Sequence, residues 1–588
     1  MQITRNEFVV LCAVKDHPGL TQREVADLTE LSLGTINSTY KMLIAKSLVN
    51  DKCITQRGLD ALEPHKVDNA IIMAAGLSSR FAPISYEKPK GVLRVRGEVM
   101  IERQIEQLLE VGITDITVVV GYKKEEFFYL AEKYGVDIVV NSLYSERNNY
   151  YTLWLVREKL ANTYICSSDD YFTQNVFEPY VYGAYYAAAF SDKPSNEYFL
   201  TTGARDLITD VVTDGSTSGW YMLGHAYFDR AYSTRFAEIL DDIAEQPETF
   251  GKLWEDVYIE HILELPMCIR RYEDGVLNEF DSLDELRRFD PAFINNVDSS
   301  ILDNIASVLE CSRGDIVSIV PIKQGLTNMS FRFSVQDKAY VYRHPGADTD
   351  KIISRAAETQ AETIAHELGI DGTFIFEDAS TGWKISHYID GATPLDHHDQ
   401  SQVKKALAIM RKLHESGKAI DLNFDVFEKA KHLVGLLAER SRTGFNDFDE
   451  LFAAVTQVHS NVVKDGVEPC LCHNDIYDTN FLVRGDEMFL IDWEYAGMGD
   501  YAADLGTFIC CSDYTYEETE QVIGWYFGGA PSASELRHCI GYVALSAFHW
   551  FVWAIYKDAS GEPVGEQLYT WYRYAKEYSK RALELQES

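Results

Sequence analysis

The sequence predicts a multidomain α/β and α+β protein, and three observations carry that expectation. Roughly the first sixty residues read as short capped helices closed by a two-stranded end. After Asp68, apolar strands alternate with amphipathic helices, the pattern of a doubly wound parallel sheet. Further on, His473–Asn480 followed by Phe489–Tyr495 sets a cluster of polar groups in a loop between short strands. A chain of 588 residues, 46% of them hydrophobic, can bury several cores. The first junction is Glu63-Pro64-His65-Lys66, where Pro64 breaks a helix. The second runs from Phe289-Asp290-Pro291, which ends one helix, to Asp298-Ser299-Ser300, which caps the next. The expected domains are therefore 1–66, 67–293 and 294–588.

In the first of these, Thr21 is the expected N-cap of a helix and Glu24 completes a capping box. A second helix follows from Ser32 through Ala45, exposing Thr35, Asn37, Ser38 and Lys41, and Leu48–Thr55 folds into a wing before a last helix that follows Gln56-Arg57-Gly58. This arrangement resembles the winged helix-turn-helix of small bacterial regulators, which implies DNA as a partner. Charge pulls the other way. Up to His65, seven Lys and Arg stand against eight Asp and Glu, so the module lacks the net positive charge that neutralises phosphates, and a packing or regulatory module is the alternative.

In the second, the strand Asn69–Ala74 runs into Ala75-Gly76-Leu77-Ser78-Ser79-Arg80 and then Lys88-Pro89-Lys90-Gly91. Glycine lets backbone N–H groups approach phosphate oxygens, and Arg80 and Lys90 supply the positive charge a triphosphate needs. An amphipathic helix from Met100 to Leu109 and the strand Asp115–Tyr122 complete a β-loop-α-β unit, with ligands expected at the carboxyl ends of the strands. The A-A-G-L-x-S-R loop, the K-P-K lysine and V-G-Y resemble the nucleoside-triphosphate transferase family, its bacterial phosphocholine cytidylyltransferase branch in particular. Asn148–Tyr151 and Asn196–Leu200 add to the likeness, which spans roughly 220 residues. It implies a Rossmann-like nucleotidyltransferase that binds CTP through Ala75, Gly76, Ser78, Arg80 and Lys90, with Arg80 and Lys90 also catalytic. Ser78 stands where the family often has a second glycine, which narrows the allowed backbone. By the same resemblance Asp169 and Asp281 hold Mg²⁺. Asp170 is the rival of Asp169, and Asp281 also reads as an acid capping the helix at Leu283. Tyr150, Tyr198, Trp220 and Trp254 are candidates to wall a methylated ammonium group, with Glu255 and Asp256 near the same pocket; the alternative for each ring is ordinary core.

The third carries the most specific signal. Asp475 is placed to face a substrate hydroxyl, while Asn480, five residues on, and Asp492, at the end of an apolar strand, are placed to hold Mg²⁺ on a nucleotide. Gln324–Phe331 reads as a hairpin covering the nucleotide, and Tyr340–Arg343 as the strand bearing a phosphate-binding cation. Glu358 is the expected partner of Arg343, with Glu362 the alternative. The C-H-N-D and I-D-W-E-Y-A-G runs resemble choline and ethanolamine kinases, within the aminoglycoside phosphotransferase-like superfamily, and most of all their bacterial choline kinase branch. That implies a bilobal protein-kinase-like domain using ATP. Trp550 and Trp553, three apart on a helix, share a face and match the tryptophans that wall the family's choline pocket; an aromatic core helix is the alternative.

The two resemblances imply consecutive steps, choline to phosphocholine with ATP and phosphocholine to CDP-choline with CTP, feeding a phosphocholine transferase that acts on a surface polymer. Two other readings remain: a sugar-phosphate nucleotidyltransferase joined to an aminoglycoside-type kinase, and a winged-helix transcriptional regulator with ligand-sensing enzyme-like domains. A formal charge of −37 disfavours a large nucleic-acid or anionic-membrane surface and suits a cationic substrate. The ten cysteines show no zinc-ligand spacing, Cys470-x-Cys472 and Cys510-Cys511 being too tight, so a reducing cytoplasm is expected. The amino terminus has no apolar h-region, and no stretch is expected to be long and apolar enough to cross a bilayer.

Overall fold

A computed structural model describes residues 2–280, 282–322, 328–346, 353–440, 444–559 and 564–587. It divides into two compact units, Met1–Asn304 and Ile305–Ser588. In the first unit the helices Arg5–Asp16, Gln22–Thr29 and Leu33–Ala45 precede the antiparallel wing Val49–Asn50 and Cys53–Ile54 and the helix Gln56–Leu62. Thr21 and Glu24 form the expected capping box, each side chain bonding the other's backbone N–H. Val10, Leu11, Val25, Ile36, Leu43 and Leu62 close the small core. Asn37, Ser38 and Lys41 are exposed on the third helix, whereas Thr35 is half-buried against the capping Ser32. The module is packed on the rest of the unit: the rings of Phe8, His65 and Tyr182 cluster together, Phe8 and His65 at 5.2 Å, His65 stacked on Tyr182 at 5.3 Å, and Phe8 and Tyr182 at 5.6 Å.

The larger sheet has nine strands. Along its main path lie Ile208–Val212, Phe199–Thr202, Gly219–Phe228, Thr163–Ser167, Asn69–Ala74, Ile116–Val120 and Asp137–Val140, and Tyr185–Ser191 and Cys268–Arg271 branch from Gly219–Phe228. Only part of it matches the parallel expectation. The last four strands of the path are parallel, but Gly219–Phe228 runs antiparallel to its neighbours. Apolar runs do not encode strand direction, and the short turns joining Phe199–Thr202, Ile208–Val212 and Gly219–Phe228 leave no room for a crossover helix.

The second unit begins with a five-stranded antiparallel sheet in the order Ile316–Pro321, Asn328–Val335, Lys338–Pro345, Lys384–His387, Phe374–Glu377, followed by a mostly helical lobe. Of the expected nucleotide-covering hairpin, Gln324–Thr327 lies outside the described residues. The helix Ala533–Asp558 corrects one expectation, since its length and composition would suffice to cross a membrane. In this fold 83% of its apolar window is buried, and it forms the core of the lobe, against Tyr501–Cys511 and Gln567–Glu587.

Candidate active sites

The first site lies at the carboxyl ends of Asn69–Ala74 and Thr163–Ser167. Lys90 is buried, and its Nζ donates to Asp169 Oδ2 at 2.7 Å. Gly91 makes the approach possible, because a Cβ there would sit 2.7 Å from the Ser168 hydroxyl. Burial alone would raise the Asp169 carboxyl, but the Lys90 ammonium and the Ser167 hydroxyl outweigh it and hold Asp169 below its ordinary value. The neighbour Asp170 behaves differently. It is buried and directly opposite Glu279 across the Asp170–Phe172 and Leu277–Glu279 pair, so burial and the Glu279 charge push it well above the carboxylate range. Asp169 is thus the carboxylate that meets the lysine. Asp281 lies outside the described residues; Glu279, whose charge acts on Asp170 and Tyr186, was not singled out in the sequence. In the loop ahead, Ser78 adopts φ 48° and ψ 42°, the left-handed conformation glycine takes without strain. Ala75 is buried and its carbonyl accepts from Tyr122 N at 3.1 Å, while Gly76 and Arg80 are exposed.

The aromatic candidates divide. Tyr150 is fully buried, its hydroxyl on the Ala244 carbonyl, and Trp254 is 1% exposed, stacked on Tyr186 at 5.4 Å. Both are sealed in packing, so neither can wall a ligand. Ordinary core, the alternative for each ring, is where these two lie. Tyr198 and Trp220 stay half-buried, Tyr198 donating to Asp256 Oδ1 at 2.9 Å and Trp220 packed edge-on to Phe190. The polar groups that gather here are Tyr186 and Glu255, joined by a 3.0 Å hydrogen bond, with Glu279 and Asp170 also acting on Tyr186. Burial raises Glu255 to about 7, against the hydrogen bonds from Tyr186 and Asn149.

The second site is built on the loop after the strand Cys470–Cys472. Asn480 Nδ2 donates to the Asp475 carbonyl at 2.8 Å and to its carboxylate at 2.9 Å, closing the loop on itself. His473 accepts Asp475 N on Nδ1 and donates from Nε2 to the Ile491 carbonyl, which ties the loop to the strand leading into Asp492. Asn474 and Asp492 both have left-handed backbones, φ 64° and 69°, strain of the kind stored where side chains must be aimed. Burial and the Asp492 charge raise Asp475 to about 7. Asp504, in the helix Tyr501–Cys511, accepts the N–H groups of His473 at 2.9 Å and Asn474 at 2.6 Å.

Arg343 reaches the same place from the sheet. Its guanidinium meets Glu358, Glu377 Oε1 at 3.0 Å and Asp492 Oδ1 at 3.2 Å. Glu362, the alternative partner, instead pairs with Lys384. Glu377 was not legible in the sequence; Glu494, the acid of the I-D-W-E run, was given no role there and accepts from Asn328 at 3.2 Å. Burial, with repulsion from Glu358 for Glu377 and from Asp492 for Glu494, raises both to about 8. Trp550 and Trp553 share a face at 5.6 Å, as their spacing requires; Trp550 is 8% exposed and Trp553 half-buried, and Trp571 joins them at 5.8 Å from Trp550.

A carboxylate–lysine nucleotide site in one unit and a carboxylate–asparagine–arginine site in the other define an enzyme of the transferase class with two separate centres. Comparison with known proteins agrees. The Phosphotransferase enzyme family matches residues 318–536, the MobA-like NTP transferase domain 70–150, and the Winged helix-turn-helix DNA-binding family 3–50. The chain is 34% identical over 226 residues to choline-phosphate cytidylyltransferase of Streptococcus pneumoniae, covering 38% of this chain and 98% of the relative. It is 33% identical over 231 residues to 2-aminoethylphosphonate cytidylyltransferase of Lancefieldella rimae, covering 38% of this chain and 93% of that protein. Protein LicA of Haemophilus influenzae is 26% identical over 254 residues, covering 41% of this chain and 74% of the relative. Among solved structures, choline kinase LicA from Streptococcus pneumoniae aligns with 26% identity and a TM-score of 0.42, covering 48% of this chain and 98% of that one. The chain belongs to the family of the pneumococcal choline-phosphate cytidylyltransferase, and it carries a phosphotransferase domain in addition.

Proposed function

We propose that this chain makes CDP-choline in two steps: ATP phosphorylates choline in the second unit, and phosphocholine attacks the α-phosphorus of CTP in the first, with pyrophosphate leaving. One observation carries the reading. A chain that spans 98% of a choline-phosphate cytidylyltransferase also holds a phosphotransferase domain, so one half is suited to make what the other half consumes.

In the second unit Asp475 orients the choline hydroxyl and accepts its proton, and Arg343, braced by Glu358 and Glu377, lies along the ATP phosphates. A quaternary ammonium offers no hydrogen-bond donor, so the Trp550 and Trp553 indoles hold it by ring faces. In the first unit Lys90 and Arg80 stabilise the charge on the transferring nucleotidyl group. Phosphocholine's positive end goes to Tyr186, Glu255 and Tyr198 with Asp256, since Tyr150 and Trp254 are closed. Asn480 with Asp492, and Asp169 with Asp281, are the donors assigned to Mg²⁺, all of them hard oxygen ligands of the kind that ion takes. When bound, Mg²⁺ would supply neutralisation of phosphate charge. The ten cysteines are free, which suits a reducing cytoplasm. DNA is the partner proposed for the winged helix, and a phosphocholine transferase acting on a surface polymer is the proposed consumer of the product.

The test mixes the purified chain with ATP, CTP, Mg²⁺ and a panel of choline, ethanolamine, phosphocholine and 2-aminoethylphosphonate, with products identified by mass spectrometry. Asp475→Ala should abolish phosphorylation of choline and leave cytidylyl transfer to supplied phosphocholine; Lys90→Ala should do the reverse. Loss of both activities in either variant contradicts two independent centres. A product from 2-aminoethylphosphonate but not phosphocholine would reassign the first unit. For the winged helix, an unshifted duplex probe of the gene's own upstream region at low salt would count against DNA.

A further inference from the structure

Three side chains stand outside both centres yet beside the phosphotransferase loop. Cys470 and Cys472 occupy alternate positions of one strand, so both side chains leave on the same face. Their sulfurs lie 3.7 Å apart. His414, at the end of the helix Gln400–His414, brings a ring nitrogen within 4.8 Å of both sulfurs. The strand Gly497–Gly499 lies antiparallel alongside, with Gly499 opposite Cys470 and Gly497 opposite Cys472, so no cross-strand side chain crowds the thiols. In a loop the spacing Cys-x-Cys is too tight for a pair of zinc ligands; extended backbone changes what it allows. Two thiolates each about 2.3 Å from one tetrahedral ion stand about 3.8 Å apart. These sulfurs already have that separation.

We propose that Cys470, Cys472 and His414 form a site for a thiophilic cation of the Zn²⁺ type, and that its occupation slows the phosphotransferase reaction. On binding, the two thiols release their protons to solvent, and the neutral imidazole gives the lone pair of one ring nitrogen. That nitrogen must leave a present partner, either the Tyr526 hydroxyl at 2.8 Å from Nδ1 or the Asp504 carboxylate at 2.9 Å from Nε2. Two thiolates around a divalent ion leave no net charge, which a buried place tolerates, and a solvent oxygen takes the fourth position. Without a cation, burial pushes the Cys472 thiol well above its ordinary value, so the sulfur stays protonated. The link to catalysis runs through Asp504, because its carboxylate holds His414 together with the backbone of His473 and Asn474, which aims Asp475. A shift of His414, or of the strand ending at Cys472, re-aims that loop.

The experiment uses the full chain, with Cd²⁺ as a spectroscopic probe and Zn²⁺ for activity. A stoichiometric amount of Cd²⁺ should raise a thiolate-to-metal charge-transfer band that disappears in Cys470→Ser and in Cys472→Ala. With Mg²⁺ in large excess, Zn²⁺ equimolar to protein should lower choline phosphorylation about tenfold or more, reversibly with a chelator, and leave cytidylyl transfer unchanged. Cys470→Ser, a near-isosteric change at a half-buried position, should keep full activity without Zn²⁺ and resist its addition. If Cys472→Ala fails to fold, Cys470→Ser alone decides. No band in the unsubstituted chain, a band that survives Cys470→Ser, or Zn²⁺ inhibition undiminished in Cys470→Ser would each overturn the proposal. The band needs neither ATP nor choline, so its failure is distinguishable from failure of the assigned reaction.

Discussion

At the scale of single residues, the same buried surroundings give neighbouring carboxyls opposite states, and those states decide which substitutions matter. Glu358 is held below its ordinary value because Arg343 and Lys384 outweigh its burial, whereas Glu377, on the same guanidinium, is raised to about 8 by burial and by Glu358. At neutral pH Glu377 is therefore mostly protonated, and a glutamine reproduces both its shape and its hydrogen bond. We expect Glu377→Gln to keep choline phosphorylation within a few-fold of the parent. Glu358→Gln leaves the Arg343 charge under-compensated in a buried place and should cost about 3 kcal/mol of stability together with most of the activity. Urea titrations and steady-state rates on the pair check this, and equal damage from both variants would refute the assigned states. Asp475→Asn should lower the phosphorylation rate by about 10²–10⁴-fold with little change in KM, the usual share of a general base. Asp475, Asn480 and Asp492 were legible in the sequence because the loop that aims them is nearly contiguous. Glu377 and Asp504 were not, since they reach Arg343 and the loop across 34 and 31 residues of chain, and nothing local marks them. Tyr150 and Trp254 misled for a related reason: an aromatic on an amphipathic helix has the same spacing whether it faces a ligand or a core.

At the scale of elements, the legible features were those fixed locally. The Thr21–Glu24 box, the helix read from Ser32 through Ala45 and the strand Asn69–Ala74 all follow from neighbours within a few positions. The antiparallel course of Gly219–Phe228 does not, because it is set by its pairing partners. The same limit hid how the winged helix is attached. Tyr182 packs on both Phe8 and His65, which also touch each other, and its hydroxyl donates to the Ile3 carbonyl at 3.3 Å, so one side chain from the transferase domain clasps both ends of the module. Aromatic pairs of this kind contribute about 0.5–1.5 kcal/mol each beyond buried area. Tyr182→Ala should accordingly free the module without unfolding either domain. Limited proteolysis near Glu63–Lys66 is the measurement, with faster cleavage and unchanged cytidylyl transfer as the expected outcome. An unchanged cleavage rate would show that the remaining contacts, among them the Lys66–Tyr180 bridge, the Val181 backbone bond and the Asn162 bonds to the Pro64 and Lys66 carbonyls, hold the module without Tyr182.

At the scale of the whole molecule, the buried titratable groups set how each unit answers acid, and in the first unit two of them oppose each other. His225 is fully buried, its Nε2 bonded to the Tyr185 hydroxyl at 2.9 Å, and burial with the nearby Arg270 lowers its pKa from 6.5 to about 3. The folded chain therefore keeps this ring neutral where the unfolded chain would protonate it. Its contribution is complete above 6.5 and is lost as pH falls, at about 1.4 kcal/mol per pH unit. Glu255 works in the other sense. Its folded pKa of about 7 lies above the ordinary 4.5, so the folded chain binds the extra proton, and stability present at low pH is lost as pH rises through 7. Between pH 4.5 and 6.5 these two slopes act at once in opposite senses, with the raised Asp170 adding to that of Glu255, so each is seen by comparing a variant with the parent. Removing either group should expose the other. His225→Gln keeps an acceptor for Tyr185 and should make the first unit gain stability as pH is lowered from 6.5 to 5. Glu255→Gln should make it lose stability over the same range, each by about 1.4 kcal/mol per pH unit relative to the parent. Thermal unfolding of the two variants and the parent at several pH values measures the divergence. Parallel curves for all three would mean that neither group is as buried in solution as the fold places it.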